Sequence, residues 1–174
     1  MPVNGRGWVQ SSSSSGFEET WKQPSEGWWK INLDGASKGN PRPSGVRFIV
    51  RDWKGDVVAL DAQKLNPGTN NIVEASVALI AIRFCRKIGV IKLHLEGDSL
   101  IIIQTIMKGT IKAWHLQNSI LSIVEELNNF EDFRVSHIRR TGNVEADILS
   151  KWALTFNEIG ELRFEDLRHI NIEF

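Results

Sequence analysis

Apolar and polar residues alternate through Trp29-Lys30-Ile31-Asn32-Leu33-Asp34. A period of two is the mark of a strand with one face buried. Val46 to Val50 and Val57 to Ala62 read as two further strands, with Lys54-Gly55-Asp56 between them as a hairpin connection. The segment from Gly35 to Ser44, with Gly39-Asn40-Pro41 and Pro43, is turn-rich. Asn71 to Lys87 contains neither glycine nor proline and predicts a long helix, stopped at Gly89 where a C-cap is expected. Lys92 to Glu96 predicts a fourth strand, followed by Gly97-Asp98-Ser99 and a helix to about Met107. A third helix is expected over His115 to Asn128, a fifth strand over Phe133 to Ile138, and a final helix from Asn143 to about Ala153.

The predicted order is β-β-β-α-β-α-α-β-α. Three strands joined by short turns form an antiparallel meander, and strands that alternate with helices extend it in parallel. The expectation is an α/β fold: one five-stranded mixed sheet with helices on both faces. Residues 1–27 differ in character, with the serine run Ser11 to Ser15 and little periodicity, and read as a flexible tail or linker. Residues 28–154 form the expected domain and 155–174 a C-terminal extension.

Composition changes this picture little. With 174 residues, 41% of them apolar and 24% charged, the chain suits one globular domain with a real core. It has no apolar run long enough to span a bilayer and no apolar signal core at its start, so an intracellular setting is expected, nucleus or cytoplasm. The single cysteine, Cys85, lies in an apolar helical pattern and reads as a buried structural thiol. Lysine plus arginine (21) equals aspartate plus glutamate (21). Such a balance runs against the basic excess usual in nucleic-acid binders.

Four acids stand out of place. Glu74 sits in the nearly all-apolar stretch Ile72 to Ile80, with no lysine or arginine three or four residues away. A carboxylate in that setting calls for a metal, a proton or a remote partner. Asp34 ends the first strand, and Asp98 follows the fourth at the end where α/β sheets place ligand sites. Asp147 lies four residues into the last helix, near its positive dipole end. Each also has an ordinary explanation: a turn residue, a helix cap, a solvated first-turn acid, a half-exposed helix position. Geometry links them if strands one and four are neighbours, for then Asp34 and Asp98 meet and helices bring Glu74 and Asp147 over them. Four gathered carboxylates need counter-charge. Oxygen donors without clustered cysteine or histidine select a hard cation, Mg²⁺ or Mn²⁺. Two such ions about 4 Å apart suit in-line phosphodiester displacement.

The motifs are Leu33-Asp34-Gly35-Ala36-Ser37-Lys38-Gly39-Asn40-Pro41, Thr69-Asn70-Asn71-Ile72-Val73-Glu74, Glu96-Gly97-Asp98-Ser99 and Asn143-Val144-Glu145-Ala146-Asp147. In this order, each with its acid, they resemble the type 1 ribonuclease H family, especially the plant ribonuclease H-like domains related to retroelement polyproteins. The resemblance spans Trp29 to Ala153. It implies a ribonuclease H-like fold and an endoribonuclease that cuts the RNA strand of RNA/DNA hybrids with two Mg²⁺ ions (or Mn²⁺), leaving 5′-phosphate and 3′-hydroxyl ends. Asp34, Glu74, Asp98 and Asp147 match the family's metal-binding acids. Asn40, Thr69, Asn70 and Asn71 match positions that contact the hybrid backbone and its 2′-hydroxyls, the group that distinguishes RNA from DNA. Turn and cap chemistry would serve Asn70 and Asn71 equally well. His137 matches by count an auxiliary histidine that precedes the last acid in many members, although it falls at a strand end, and Arg140 offers an equivalent charge. Arg42 and Arg47 replace small residues of the family's second strand, as phosphate contacts or as solvated surface arginines. The expected partner is an RNA/DNA hybrid bound by a monomer, with another domain or protein adding grip, and no membrane. The reading of a different class is a catalytically quiet nucleic-acid binding or interaction module. An integrase- or resolvase-like enzyme acting on DNA is a third.

Overall fold

The computed structural model describes residues 22–34, 45–64, 70–108 and 114–138. Five strands and three α-helices follow in the predicted order: β1 (Trp28–Asp34), β2 (Gly45–Arg51), β3 (Val57–Lys64), α1 (Asn70–Lys87), β4 (Lys92–Gly97), α2 (Leu100–Lys108), α3 (Gln117–Leu127) and β5 (Asp132–His137). The sheet order is β3-β2-β1-β4-β5. β1, β2 and β3 pair antiparallel, whereas β4 pairs parallel with both β1 and β5. The expected mixed sheet is therefore present. The helix expected from Asn143 lies outside the described residues.

Local chemistry fixes the ends of these elements. The β2–β3 hairpin turns on Asp52, whose Oδ1 accepts from the backbone N–H of Lys54 (2.9 Å) and of Asp56 (3.0 Å). Gly55 takes the positive φ of 89° that the turn requires. α1 ends in a Schellman motif: the N–H of Val90 bonds to Cys85 O (3.0 Å), and that of Gly89, at φ 81°, to Arg86 O (3.1 Å). α3 begins later than the expected His115, because Trp114–Leu116 forms a 3₁₀ turn first. Leu116 stands at the N-cap and offers no side-chain acceptor to start the helix there.

One sheet face carries the core. Ile31, Leu33, Phe48, Val50, Leu93, Leu95, Phe133 and Val135 pack with Ala75, Ala78, Ala81, Ile82 and Cys85 of α1, and with Ile102, Ile103, Ile106, Ile120 and Ile123 of α2 and α3. Small residues on α1 let it lie close against β1 and β2, and the three helices also touch one another. Cys85 is fully buried as expected, which pushes its thiol up to about 12. Arg83 Nε (2.9 Å) and Arg86 Nη1 (2.7 Å) of α1 reach Glu126 of α3 across the helix layer.

The opposite face departs from the sequence expectation. β1 was predicted to be half-buried, yet Lys30 (3% exposed) and Asn32 (2%) are as buried as the core positions between them. Arg51, Glu96 and Ser136 are buried beside them. These polar residues bond to one another, which offsets much of the cost of their burial. Residues 22–27, expected as the end of the tail, also engage this body. Lys30 Nζ donates to Lys22 O (2.7 Å), Gln23 Nε2 donates to Trp53 O (2.8 Å), and Pro24 is buried.

Candidate active site

β1 and β4 run side by side in parallel, and their register ends with Leu33 opposite Gly97. Asp34 and Asp98 are the next residue of each chain segment, so the backbone delivers both acids to one point at the C-terminal end of the central strands. Asp34 also pairs with Arg47 of β2 on its other side, which sets that arginine beside the site by backbone position. Glu74 lies in the second turn of α1. A small hollow is lined by Leu33, Glu74, Gly97, Asp98, Ser99, Ile102 and Ile103. Glu74 is half-buried and its Oε2 is shielded from solvent.

The hollow is built by close approach. A Cβ added at Gly97 would lie 3.3 Å from both Ile103 Cδ1 and Leu33 Cβ, tighter than an ordinary contact, so α2 packs closely against the strand end here. α2 starts right after Asp98 and Ser99, and the N–H of Ile103 bonds to Ser99 O (3.0 Å). Leu33, Ile102 and Ile103 give the hollow an apolar wall beside Glu74 and Asp98.

Of the sequence-predicted residues, the structure brings Glu74 and Asp98 together and sets Asp34 next to them along the backbone. The side chain of Asp34 and all of Asp147 lie outside the described residues, as do Asn40, Thr69, Arg42 and Arg140. Asn70 and Asn71 open α1 one turn before Glu74. His137 is the last residue of β5 and pairs with Gly97. Its Nε2 lies 3.2 Å from the backbone O of Asp98, where the carbonyl accepts from the ring N–H. Here it is a strand residue that braces the turn carrying Asp98, as its strand position suggested.

The donor set fits a hard cation. Glu74 and Asp98 offer carboxylate oxygens only, with one oxygen of Glu74 shielded from water. Among the described residues no group of three or more His, Cys, Asp or Glu forms a metal site, and two of the four predicted acids fall outside that set. Sequence reasoning quoted Gly97 and Ser99 as flanks of Asp98 but missed the isoleucines of α2 as residues that line the hollow. The Gly-Asp-Ser run beside an Ile-rich helix start was the available signal.

Comparison with known proteins agrees with this geometry. The reverse transcriptase-like family model matches residues 32–153. A ribonuclease HI of Halobacterium salinarum is 31% identical over 127 residues, covering 70% of this chain and 62% of the relative. The crystal structure of RNase H1 from that archaeon gives a TM-score of 0.58 at 27% identity, covering 74% of this chain and 98% of that one. A putative ribonuclease H protein of Arabidopsis thaliana is 27% identical over 139 residues, covering 79% of this chain and 22% of the relative. LC11-RNase H1 in complex with an RNA/DNA hybrid gives a TM-score of 0.56 at 25% identity, covering 70% of this chain and 92% of that one. The chain thus spans less than two thirds of the length of these two curated relatives. Taken with the sheet order and the acids at its centre, these matches show that the chain belongs to the reverse transcriptase-like family and carries the ribonuclease H fold.

Proposed function

We propose that the chain is a ribonuclease H that hydrolyses the RNA strand of RNA/DNA hybrids. The observation that carries this reading is the convergence of Glu74 and Asp98 in one hollow, with Asp34 one residue beyond the Leu33–Gly97 pair. The 31% identical ribonuclease HI and the hybrid-bound LC11 structure support the activity and the substrate class.

In this reading Asp34, Glu74, Asp98 and Asp147 hold two divalent ions, Mg²⁺ or Mn²⁺. When bound, such ions lower the pKa of water and neutralise charge developing on phosphate and leaving oxygen. The chain itself supplies position. β1 and β4 set two acids side by side, α1 brings the third, and His137 fixes the Asp98 carbonyl. Leu33, Ile102 and Ile103 form the apolar wall of the hollow beside Glu74 and Asp98. Asn40, Thr69, Asn70 and Asn71 contact the hybrid, with Asn70 and Asn71 opening α1 one turn before Glu74. Water is the nucleophile, and the products carry 5′-phosphate and 3′-hydroxyl ends.

The test is cleavage of an end-labelled hybrid with Mg²⁺ or Mn²⁺ at low salt, beside single-stranded RNA and duplex DNA. Hybrid-specific cutting is expected, and Asp34→Asn or Asp98→Asn should reduce it by about 100-fold or more, beyond the cost of losing an outlying partner of a metal ligand. Folded protein that binds hybrid but cuts it with neither ion would be a quiet binding module. Equal cutting of duplex DNA would make it a DNA enzyme.

A further inference from the structure

The polar layer on the second sheet face lies just before the acids along β1 and β4. Asn32 of β1 sits opposite Glu96 of β4, two residues before Asp34 and Asp98 respectively. Asn32 Nδ2 donates to Glu96 Oε1 at 2.8 Å, and Arg51 Nη1 of β2 donates to Asn32 Oδ1 at 3.5 Å. Glu96 Oε2 lies 3.5 Å from Lys30 Nζ and accepts from Ser136 Oγ of β5 at 3.4 Å. The group therefore joins β2, β1, β4 and β5.

Stability alone explains this layer poorly. Buried ion pairs repay little of their desolvation cost, and apolar residues of similar volume often serve as well or better. A directional bond between side chains does what apolar packing cannot, because it specifies which residue faces which. A slip of one residue between β1 and β4 would turn every side chain to the wrong face. A slip of two would keep Ile31, Leu33, Leu93 and Leu95 on the core face, so the apolar pattern does not forbid it. It would, however, carry Asp98 about 6.6 Å along the strand relative to Asp34. Carboxylates bind Mg²⁺ at about 2.0–2.1 Å, and a displacement of that size separates two ligands of one ion.

We propose that Asn32 and Glu96 are positioning residues: their buried hydrogen bond locks the register of β1 on β4 and so holds Asp34 and Asp98 at the spacing a shared divalent cation requires. This rests on the reading of those acids as metal ligands.

Mn²⁺ binding to the folded full chain, measured by calorimetry, tests the proposal independently of catalysis. Asn32→Ala should weaken Kd about tenfold, the scale of losing a group that orients a metal ligand. Asn32→Thr, β-branched and suited to a strand, cannot reach Glu96 and should weaken it severalfold while folding readily. In cleavage assays both should raise the Mn²⁺ concentration for half-maximal rate by the same factors, with KM for hybrid at saturating metal little changed. Glu126→Gln, which breaks a buried pair on the helical side, is the control: it should lower stability and leave Kd unaltered. A folded Asn32→Thr protein with the wild-type Kd would overturn the positioning role alone. Wild-type protein that binds no Mn²⁺ would instead overturn the reading of the acids, and the inference with it.

Discussion

His94 shows how much the second sheet face differs from a solvated surface. Its Nε2 lies 2.7 Å from Ser136 Oγ and 4.0 Å from Glu96 Oε2. Proximity to a carboxylate would ordinarily favour the imidazolium. Burial, and then the charges of Lys30 and Arg134, push the pKa down instead, from 6.5 to about 3. The ring is therefore neutral, and its contact with Ser136 is a hydrogen bond rather than part of an ion pair. Because the folded value lies below the unfolded one, the native state binds fewer protons between them. This contribution to stability is fully present above pH 6.5 and is lost as pH falls towards 3. Between pH 6.5 and pH 5 the loss should be about 2 kcal/mol. Urea unfolding of wild type and His94→Gln across that range checks it, since the variant should lack this component. None of this was visible in the sequence. The acids Glu74 and Asp98 were, because a carboxylate in an apolar run or after a strand breaks the local pattern. Lys30, Asn32 and Glu96 break no pattern: polar residues at alternate strand positions look the same whether they face water or one another.

At the level of elements, pattern and punctuation carried most of the information. Glycine at positive φ ends α1 and turns the β2–β3 hairpin where it was expected. The start of α3 was misplaced because nothing in Trp114 to Leu116 supplies a capping oxygen, and a 3₁₀ turn intervenes. Gly97 was read as the residue before Asp98 in its motif, and it also lies where α2 meets the strand end closely. Gly97→Ala should destabilise the protein by about 1–3 kcal/mol, the usual cost of overpacking, because its methyl meets Leu33 and Ile103 at 3.3 Å. The midpoint of urea unfolding measures this. Residual activity of that variant should be low even at temperatures where it is folded, since the shift falls on the wall of the acid site.

For the whole molecule the sheet order is the decisive fact. The meander and the later parallel strands were legible from turn lengths and from strand–helix alternation. The adjacency of β1 and β4 was a condition of the site argument, and no local signal encodes it. It follows from packing, because α1 must cross the sheet to bury its Ala75–Ala78–Ala81 stripe. In the proposed reading the acids gathered by that topology hold divalent cations. Mg²⁺ at about 100 times its Kd should therefore stabilise the fold by about 2.7 kcal/mol. Thermal unfolding with Mg²⁺ and with excess chelator measures the difference, and Asp98→Asn should shrink it. The formal net charge of zero gives no long-range attraction to a polyanion. In the proposed reading, grip on the hybrid then depends on local contacts, and each phosphate contacted adds to its salt dependence.

The pairing of Asn32 with Glu96 spans 64 positions of chain, and this has a consequence in time. During synthesis at roughly 5–20 residues per second, β1 leaves the ribosome about 3–13 s before the strand that completes its second edge. Throughout that interval the unpaired edge of β1 is open to wrong partners. Polar residues such as Lys30 and Asn32 leave the face of that waiting strand less prone to apolar association than a run of valines would.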